Sequence, residues 1–205
     1  MRFLHVSAAV GATLFLLLAG CSETPQPAAE KAKPAEPVTG QSELFKMYSV
    51  ARTWAADIQT LRARSIRLSE VKSAEGKSGA WEATFVSESK GRARTYTYSV
   101  VEAQGNLHEG VFAGLEEAYT GPRGQEKPFP TTVLRVDTDK AYGVAMKQGV
   151  EYARKNPKMP ISFLLELTPR HADPAWRVIW GESVSTSAYS VLVDGITGDY
   201  LETLR

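Results

Sequence analysis

A single cysteine, Cys21, is the residue that most restricts how this chain of 205 residues can be stabilised. Without a second cysteine no disulfide can form within the chain, so its stability must come from a packed core. A zinc site built from several thiolates and an iron–sulfur cluster are excluded for the same reason. The net charge of +1 is close to neutral, which argues against nucleic acid as a partner.

A short apolar stretch precedes Cys21 at the N-terminus. Arg2 supplies a positive charge, the residues from Val6 to Gly20 are apolar or small, and polar residues begin at Ser22. This arrangement is typical of a secretory signal peptide and predicts one over residues 1–20. The stretch is shorter than the about 20 apolar residues that a membrane-spanning helix needs.

The run Leu18-Ala19-Gly20-Cys21 resembles the lipobox of bacterial lipoproteins. In that family the signal peptide is cleaved before the cysteine, here between Gly20 and Cys21, and the cysteine thiol carries the lipid. The resemblance implies a cell-envelope protein that is held firmly, since more than one acyl chain gives stable anchoring. An aspartate after the cysteine usually marks retention in the inner membrane. Ser22 at that position implies the outer membrane, with the domain facing the periplasm.

Residues 21–41 are predicted to be a disordered tether. They are rich in alanine, lysine and glutamate, contain almost no large apolar residue, and include Pro25, Pro27, Pro34 and Pro37. Such a composition cannot bury enough surface to fold. Proline-rich linkers extend by about 3.1 Å per residue, so this one would hold the following domain away from the membrane.

Helical periodicity followed by strand periodicity occurs twice in residues 42–205. An apolar stripe predicts a first helix from Leu44 to Leu61, and Asp137–Arg154 is predicted as a second helix with Asp137 or Thr138 as its N-cap. Alternating apolar residues predict strands after each helix. These strands lie near Ile66, at Trp81–Phe85, at Tyr96–Val100, at Ile161–Leu167, at Trp176–Trp180, at Tyr189–Val193 and at Tyr200–Leu204. The connector from Glu116 to Thr131 is predicted as a loop.

The repeated order predicts an α+β fold with an internal duplication. Two tandem units are expected, residues 42–125 and 126–205, each a helix packed on an antiparallel β-sheet. Each unit is small, so a joint between them would help to bury a sufficient core. The pattern leaves open whether the two units share one continuous sheet.

The second unit resembles the PepSY-like group of small exported bacterial domains. The resemblance rests on the helix start at Asp137–Ala141, on Pro174–Val178, and on the strand and turn Val191–Gly198. It implies a helix packed on an antiparallel sheet, a PepSY/cystatin-like fold. It also implies non-catalytic roles, namely restraint of proteases or binding on envelope proteins, and it carries over no catalytic residue.

Few residues suggest chemistry of their own. His171 lies in a proline-bracketed turn, and His108 lies beside a hairpin; neither has the spaced partners of a metal site or a catalytic triad. The carboxylate pair Glu116-Glu117 is expected at a loop surface, and Asp194 is expected to cap its turn rather than to bind a cation. We therefore predict no enzyme, no cofactor and no metal.

Two groups of residues are candidates for an interface. Trp176 and Trp180 share one face of a strand, where they could form an aromatic platform or, as the pattern favours, pack into the core. Arg92 and Arg94 could form a patch for an anionic lipid or an acidic partner, or could protect a hairpin edge.

The sequence thus predicts a non-catalytic envelope lipoprotein that is attached to the membrane through Cys21 and binds another envelope protein, with a protease as one candidate partner. The alternative is a carrier that holds a small or lipidic ligand between helix and sheet. A hydrolase with His171 is a third hypothesis.

Overall fold

The computed structural model describes residues 34–105, 107–122 and 126–205. The predicted signal peptide, its cleavage site between Gly20 and Cys21, and most of the tether lie outside the described residues. The last part of the predicted tether, residues 38–41, is folded: it forms a short strand and the first turn of a helix. The folded region therefore begins before residue 42.

The described residues form two successive groups of helices and strands. The first group contains β1 (Val38–Thr39), α1 (Gly40–Ala51), β2 (Gln59–Ile66), β3 (Lys77–Ser78), β4 (Ala80–Ser87), β5 (Arg92–Ser99) and β6 (Gly110–Ala118). The second contains α2 (Thr138–Gln148), α3 (Val150–Lys155), β7 (Ile161–Glu166), β8 (Ala175–Trp180), β9 (Tyr189–Asp194) and β10 (Tyr200–Leu204). The fold is α+β, as predicted.

Eight strands form one antiparallel sheet in the order β10-β9-β8-β7-β2-β4-β5-β6. The seam between the two groups is the pairing of β2 with β7, in which Arg62 lies opposite Glu166 and Ala63 opposite Leu165. The question that the sequence left open is therefore answered: all eight strands belong to one sheet. The division into units 42–125 and 126–205 stays a prediction.

A continuous core fills the space between the helices and one face of the sheet. In β4 the side chains of Trp81, Ala83 and Phe85 lie on this face, as the alternation in the sequence predicted. They pack with Leu44 and Met47 of α1. A row of aromatic rings crosses the seam. Trp81 lies 6.1 Å from Phe163 and 6.3 Å, edge to face, from Trp176.

The first helix is shorter than predicted. It ends at Ala51, and Leu61, the last residue of the predicted stripe, belongs to β2. The Thr53 hydroxyl donates to the Val50 carbonyl as the chain turns. The apolar spacing continued past the helix because Ala55 and Ile58 still pack against the same core.

The second predicted helix is broken in two. Its N-cap is Asp137, as predicted, with the carboxylate accepting a hydrogen bond from the Thr138 N–H. The break falls at Gly149, where a Cβ atom would lie only 2.9 Å from Cη2 of Trp180. The close approach of the Trp180 ring therefore requires glycine at this position.

The predicted strands correspond to the end of β2 and to β4, β5, β7, β8, β9 and β10, although Val100 and Leu167 lie one residue beyond β5 and β7. β6 was missed, and the prediction of a loop over Glu116–Thr131 was wrong for residues 116–118, which are the end of β6. β6 is an edge strand with partly exposed residues on both faces, so its sequence has no simple alternation.

Candidate functional site

We call the face of the sheet opposite the helices the open face. It carries a row of aligned residues, four of which are charged, and we call this the charged row. The strand register places one residue from each of the eight strands in line. From one edge to the other the row is Phe112, Thr97, Glu82, Arg64, Leu164, Arg177, Leu192 and Glu202. Charged groups therefore extend across the seam between β2 and β7.

Arg64 and Glu82 form a bidentate ion pair on the open face. They lie directly opposite each other in β2 and β4, with Nε and Nη2 of Arg64 at 2.8 and 3.1 Å from the two carboxylate oxygens of Glu82. These hydrogen bonds raise the pKa of Arg64 above its ordinary value. The Arg64 side chain remains 57 % exposed, so its guanidinium is held in place by Glu82 and is still accessible to a partner.

A second group of charges lies on both sides of the seam. Burial raises the pKa of Glu166 above its ordinary value, and nearby Glu126 adds to the rise, whereas Arg177 and Arg62 oppose it. Burial also lowers the pKa of Arg177, whose Nε donates to the Ser190 hydroxyl at 2.9 Å. An arginine still remains protonated at neutral pH. The seam therefore presents arginine and glutamate side chains held in a partly desolvated environment.

The loop between β7 and β8 adds charged groups at the β10 end of the row. The carboxylate of Glu202 accepts from Nη2 of Arg170 at 2.6 Å and is hydrogen-bonded to Nε2 of His171 at 2.9 Å. His171 has no hydroxyl partner in the part of the chain that the structure describes, so no Ser–His pair supports the hydrolase hypothesis.

Trp176 and Trp180 are not on the surface of the protein. Both side chains are buried, which corrects their proposal as interface residues and agrees with the inward packing that the pattern favoured. Nε1 of Trp176 donates to the Val136 carbonyl at 2.8 Å, and the Trp180 ring packs against Tyr189 and Tyr152. The physical reason is that their strand face is the one covered by α2 and α3.

Arg92 and Arg94 lie at a different place from the charged row. They pair with Ser87 and Phe85, so their side chains are on the helix-covered face, near the edge of the sheet. Nε of Arg94 donates to the Gly114 carbonyl at 2.8 Å, and its guanidinium lies 5.6 Å from the centre of the Tyr96 ring. Arg92 is exposed. The structure does not bring these arginines together with either tryptophan.

The remaining polar candidates are separate from one another. The Glu116 carboxylate accepts from Nε1 of Trp54, and the Asp194 carboxylate caps its turn by accepting from the N–H groups of Ile196 and Thr197. His108 is exposed beside Glu102. Within residues 34–105, 107–122 and 126–205, no three His, Cys, Asp or Glu side chains form a group that could hold a metal ion. In the same ranges, no helix is long and apolar enough to cross a membrane.

The charged row was not found from the sequence. The acidic partners of Arg62 and Arg64 come from distant parts of the chain, and the pairing of Arg64 with Glu82 depends on register. The available signal was the alternation Arg62-Ala63-Arg64 within β2, which marks a strand with one solvated face.

Comparisons with known proteins show no family. No family model and no curated protein matches the chain. A solved structure described as a "putative lipoprotein" from Clostridium difficile 630 is similar, with 8% sequence identity, a TM-score of 0.45, and coverage of 84% of this chain and 95% of that chain. A likeness of this level carries no inference about function, and the PepSY-like resemblance stays a prediction.

Proposed function

We propose that this chain is a lipid-anchored, non-catalytic binding module of a bacterial cell envelope, which binds another envelope protein through its open face. The observation that supports the proposal is the row on the open face, whose charged side chains extend from Glu82 in β4 to Glu202 in β10 and cross the seam. Along the row two arginines, Arg64 and Arg177, lie between two glutamates, and such a fixed arrangement of charges can select a protein partner by charge complementarity. A protease is one candidate partner.

The anchor in this proposal is Cys21, with cleavage after Gly20, and the membrane is the outer membrane with the domain in the periplasm. Support for it is the sequence Leu18-Ala19-Gly20-Cys21 and the apolar stretch before it. Replacement of the thiol tests it. Cys21→Ser should leave the precursor uncleaved and unlabelled by radioactive palmitate, while normal processing of this variant would disprove the anchor.

The packed core favours the binding module over the carrier. Trp81, Phe163, Trp176 and Leu165 are buried where helices and sheet meet, and their side chains occupy the space that a lipidic ligand would need. A groove of about 510 Å³ does lie between α3 and β9, but it is open to solvent and is lined in part by charged side chains such as Glu151 and Lys155.

Site-specific photocrosslinking in living cells tests the open face. A photoreactive amino acid at Leu164, in the middle of the row, should yield a defined adduct with one envelope protein. The same amino acid at Val50, exposed on α1, is the matched control. Arg64→Glu together with Arg177→Glu should reduce the Leu164 adduct at least tenfold. Equal adducts from both positions, or an adduct that tolerates both charge reversals, would disprove the proposal.

A further inference from the structure

A positively charged surface lies at α3 and at the turn after it, and we call it the basic end. Segment 147–159 carries four cationic side chains and one carboxylate, and all five are exposed: Lys147, Glu151, Arg154, Lys155 and Lys158. The carboxylate of Glu151 is paired with Nη2 of Arg154 at 2.5 Å. Three lysines therefore remain to attract an anionic partner.

Exposed apolar side chains lie among these cations. Val150 is 57 % exposed and lies one helical turn from Arg154, and Met159, next to Lys158, is 36 % exposed. Val184 is exposed in the neighbouring loop, which is joined to the turn by a hydrogen bond from the Gly181 N–H to the Pro160 carbonyl. Cations interspersed with exposed apolar side chains are typical of surfaces that lie at a membrane interface.

The described chain enters the fold at the end of the sheet where the basic end lies. Ala35 packs against a small cluster that contains Ala80, and Ala80 pairs with Ile66 at the end of β2. The pairing of β2 with β7 places Ile66 at the same sheet end as Ile161, which directly follows the basic end. Chain entry and basic end therefore lie on the same side of the domain.

Few residues lie between the proposed anchor and the described chain. Twelve residues separate Cys21 from Pro34, where the described chain begins. Even fully extended they span no more than about 45 Å. A domain held this way keeps the side on which the chain enters within reach of the lipid surface.

We propose that the basic end docks on the anionic phospholipid headgroups of the membrane that carries the anchor; this inference rests on the proposed lipid attachment at Cys21. Lys147, Lys155 and Lys158 would contact phosphate groups, and Val150 and Met159 would enter the headgroup region. Glu182, at the same sheet end, is paired with Arg67, so it does not cancel the positive charge. Docking at this end leaves the open face exposed to the periplasm.

The test uses the full lipidated protein in vesicles, with one nitroxide label. Because Cys21 is the only natural cysteine and carries the lipid in the proposal, Met159→Cys or Val150→Cys provides a single free thiol. Glu88→Cys, exposed in the turn between β4 and β5 at the other end of the sheet, is the control. Accessibility of each label to oxygen and to a water-soluble nickel chelate reports its depth, in vesicles with 30 mol% phosphatidylglycerol or with phosphatidylcholine alone.

Labels at residues 150 and 159 should become oxygen-accessible and chelate-protected in the anionic vesicles only, while the label at residue 88 stays in water. Lys155→Glu with Lys158→Glu should abolish the protection, since each lost cation weakens attraction about fivefold. A water-exposed label at residue 159 on a singly labelled, vesicle-bound protein would overturn the docking surface. Protection that also develops at residue 88, or that survives both charge reversals, would overturn it as well. If the protein carries a second label, on Cys21, the Cys21 thiol is free. That result would overturn the lipid anchor instead of the docking surface.

Discussion

The carboxylate of Asp137 accepts a hydrogen bond at 2.8 Å from the backbone N–H of Gln41, 96 residues earlier in the chain. The same oxygen accepts from the Thr138 N–H, and the other oxygen accepts from the Thr39 hydroxyl at 2.6 Å. One side chain thus satisfies free N–H groups at the N-termini of both α1 and α2.

Removal of this shared cap should destabilise both helices at once. Asp137→Ala is expected to lower the free energy of unfolding by about 2–3 kcal/mol, because each lost cap costs about 1 kcal/mol and partly buried N–H groups lose their acceptor. Urea unfolding followed by circular dichroism measures the change. Asp139→Ala is the control, since the Asp139 carboxylate accepts only from the adjacent Lys140 N–H in the described structure and its loss should cost less than about 1 kcal/mol. Equal losses in the two variants would contradict the shared cap.

Two glycines in the same helical region should respond to alanine in opposite directions. Gly149→Ala places a Cβ 2.9 Å from the Trp180 ring and should destabilise the fold by about 1–3 kcal/mol. Gly143→Ala meets no atom within 4 Å and should stabilise α2 by about 0.5–1 kcal/mol through its higher helix propensity. Thermal melts of both variants test this pair, and stabilisation by Gly149→Ala would show that Trp180 does not restrict that position.

Asp57 should make stability depend on pH in the acid range. Hydrogen bonds from the Ser87 hydroxyl at 2.6 Å and from the Ser89 N–H lower the pKa of Asp57 to about 2. A carboxyl group whose pKa is lower in the folded state stabilises that state above the unfolded pKa of about 3.9, and this contribution is lost as the pH falls from about 4 to about 2. Ser87→Ala should raise the pKa of Asp57 and flatten the stability profile in this window. NMR titration of the Asp57 carboxyl carbon provides the direct measurement, and an unchanged midpoint in the variant would rule out Ser87 as the main cause.

Two leucines test how the contribution of an apolar side chain to stability depends on its burial. Leu165 in β7 is fully buried at the seam, so Leu165→Ala should cost about 2–5 kcal/mol. Leu115 in the edge strand β6 is 89 % exposed, and Leu115→Ala should change stability by less than about 0.5 kcal/mol. Chemical unfolding of the two variants under identical conditions measures both values. A similar cost for both would mean that Leu115 is covered in solution.

The sequence predicted those features that depend on local pattern. Trp81–Phe85 alternates strictly because one face of β4 is buried in the core, and Asp137 has the residue type of an N-cap. The end of α1 was misplaced because Ala55 and Ile58 keep a helical spacing although they pack from a turn. Apolar spacing reports burial, and here it did not distinguish a helix from the chain that follows it.

Long-range features could not be predicted in this way. The hydrogen bond from Gln41 to Asp137 and the ion pair of Arg64 with Glu82 depend on how distant segments are aligned. A shift of register by one residue would move Arg64 to the opposite face of the sheet, and the sequence of β2 does not show that Arg64 lies opposite Glu82 and Leu164. The candidate site is therefore a property of the assembled sheet rather than of a motif.

The seam between β2 and β7 also has a consequence for how the chain reaches its native state. The N–H of Phe163 donates to the Ser65 hydroxyl across 98 residues, so β2 has no partner on this side until the second half of the chain has been synthesised. During that interval β2 is an unpaired edge, open to pairing with another chain. Contacts between such distant residues form slowly, so completion of this seam is expected to limit the folding rate and to set how long the protein needs protection from aggregation.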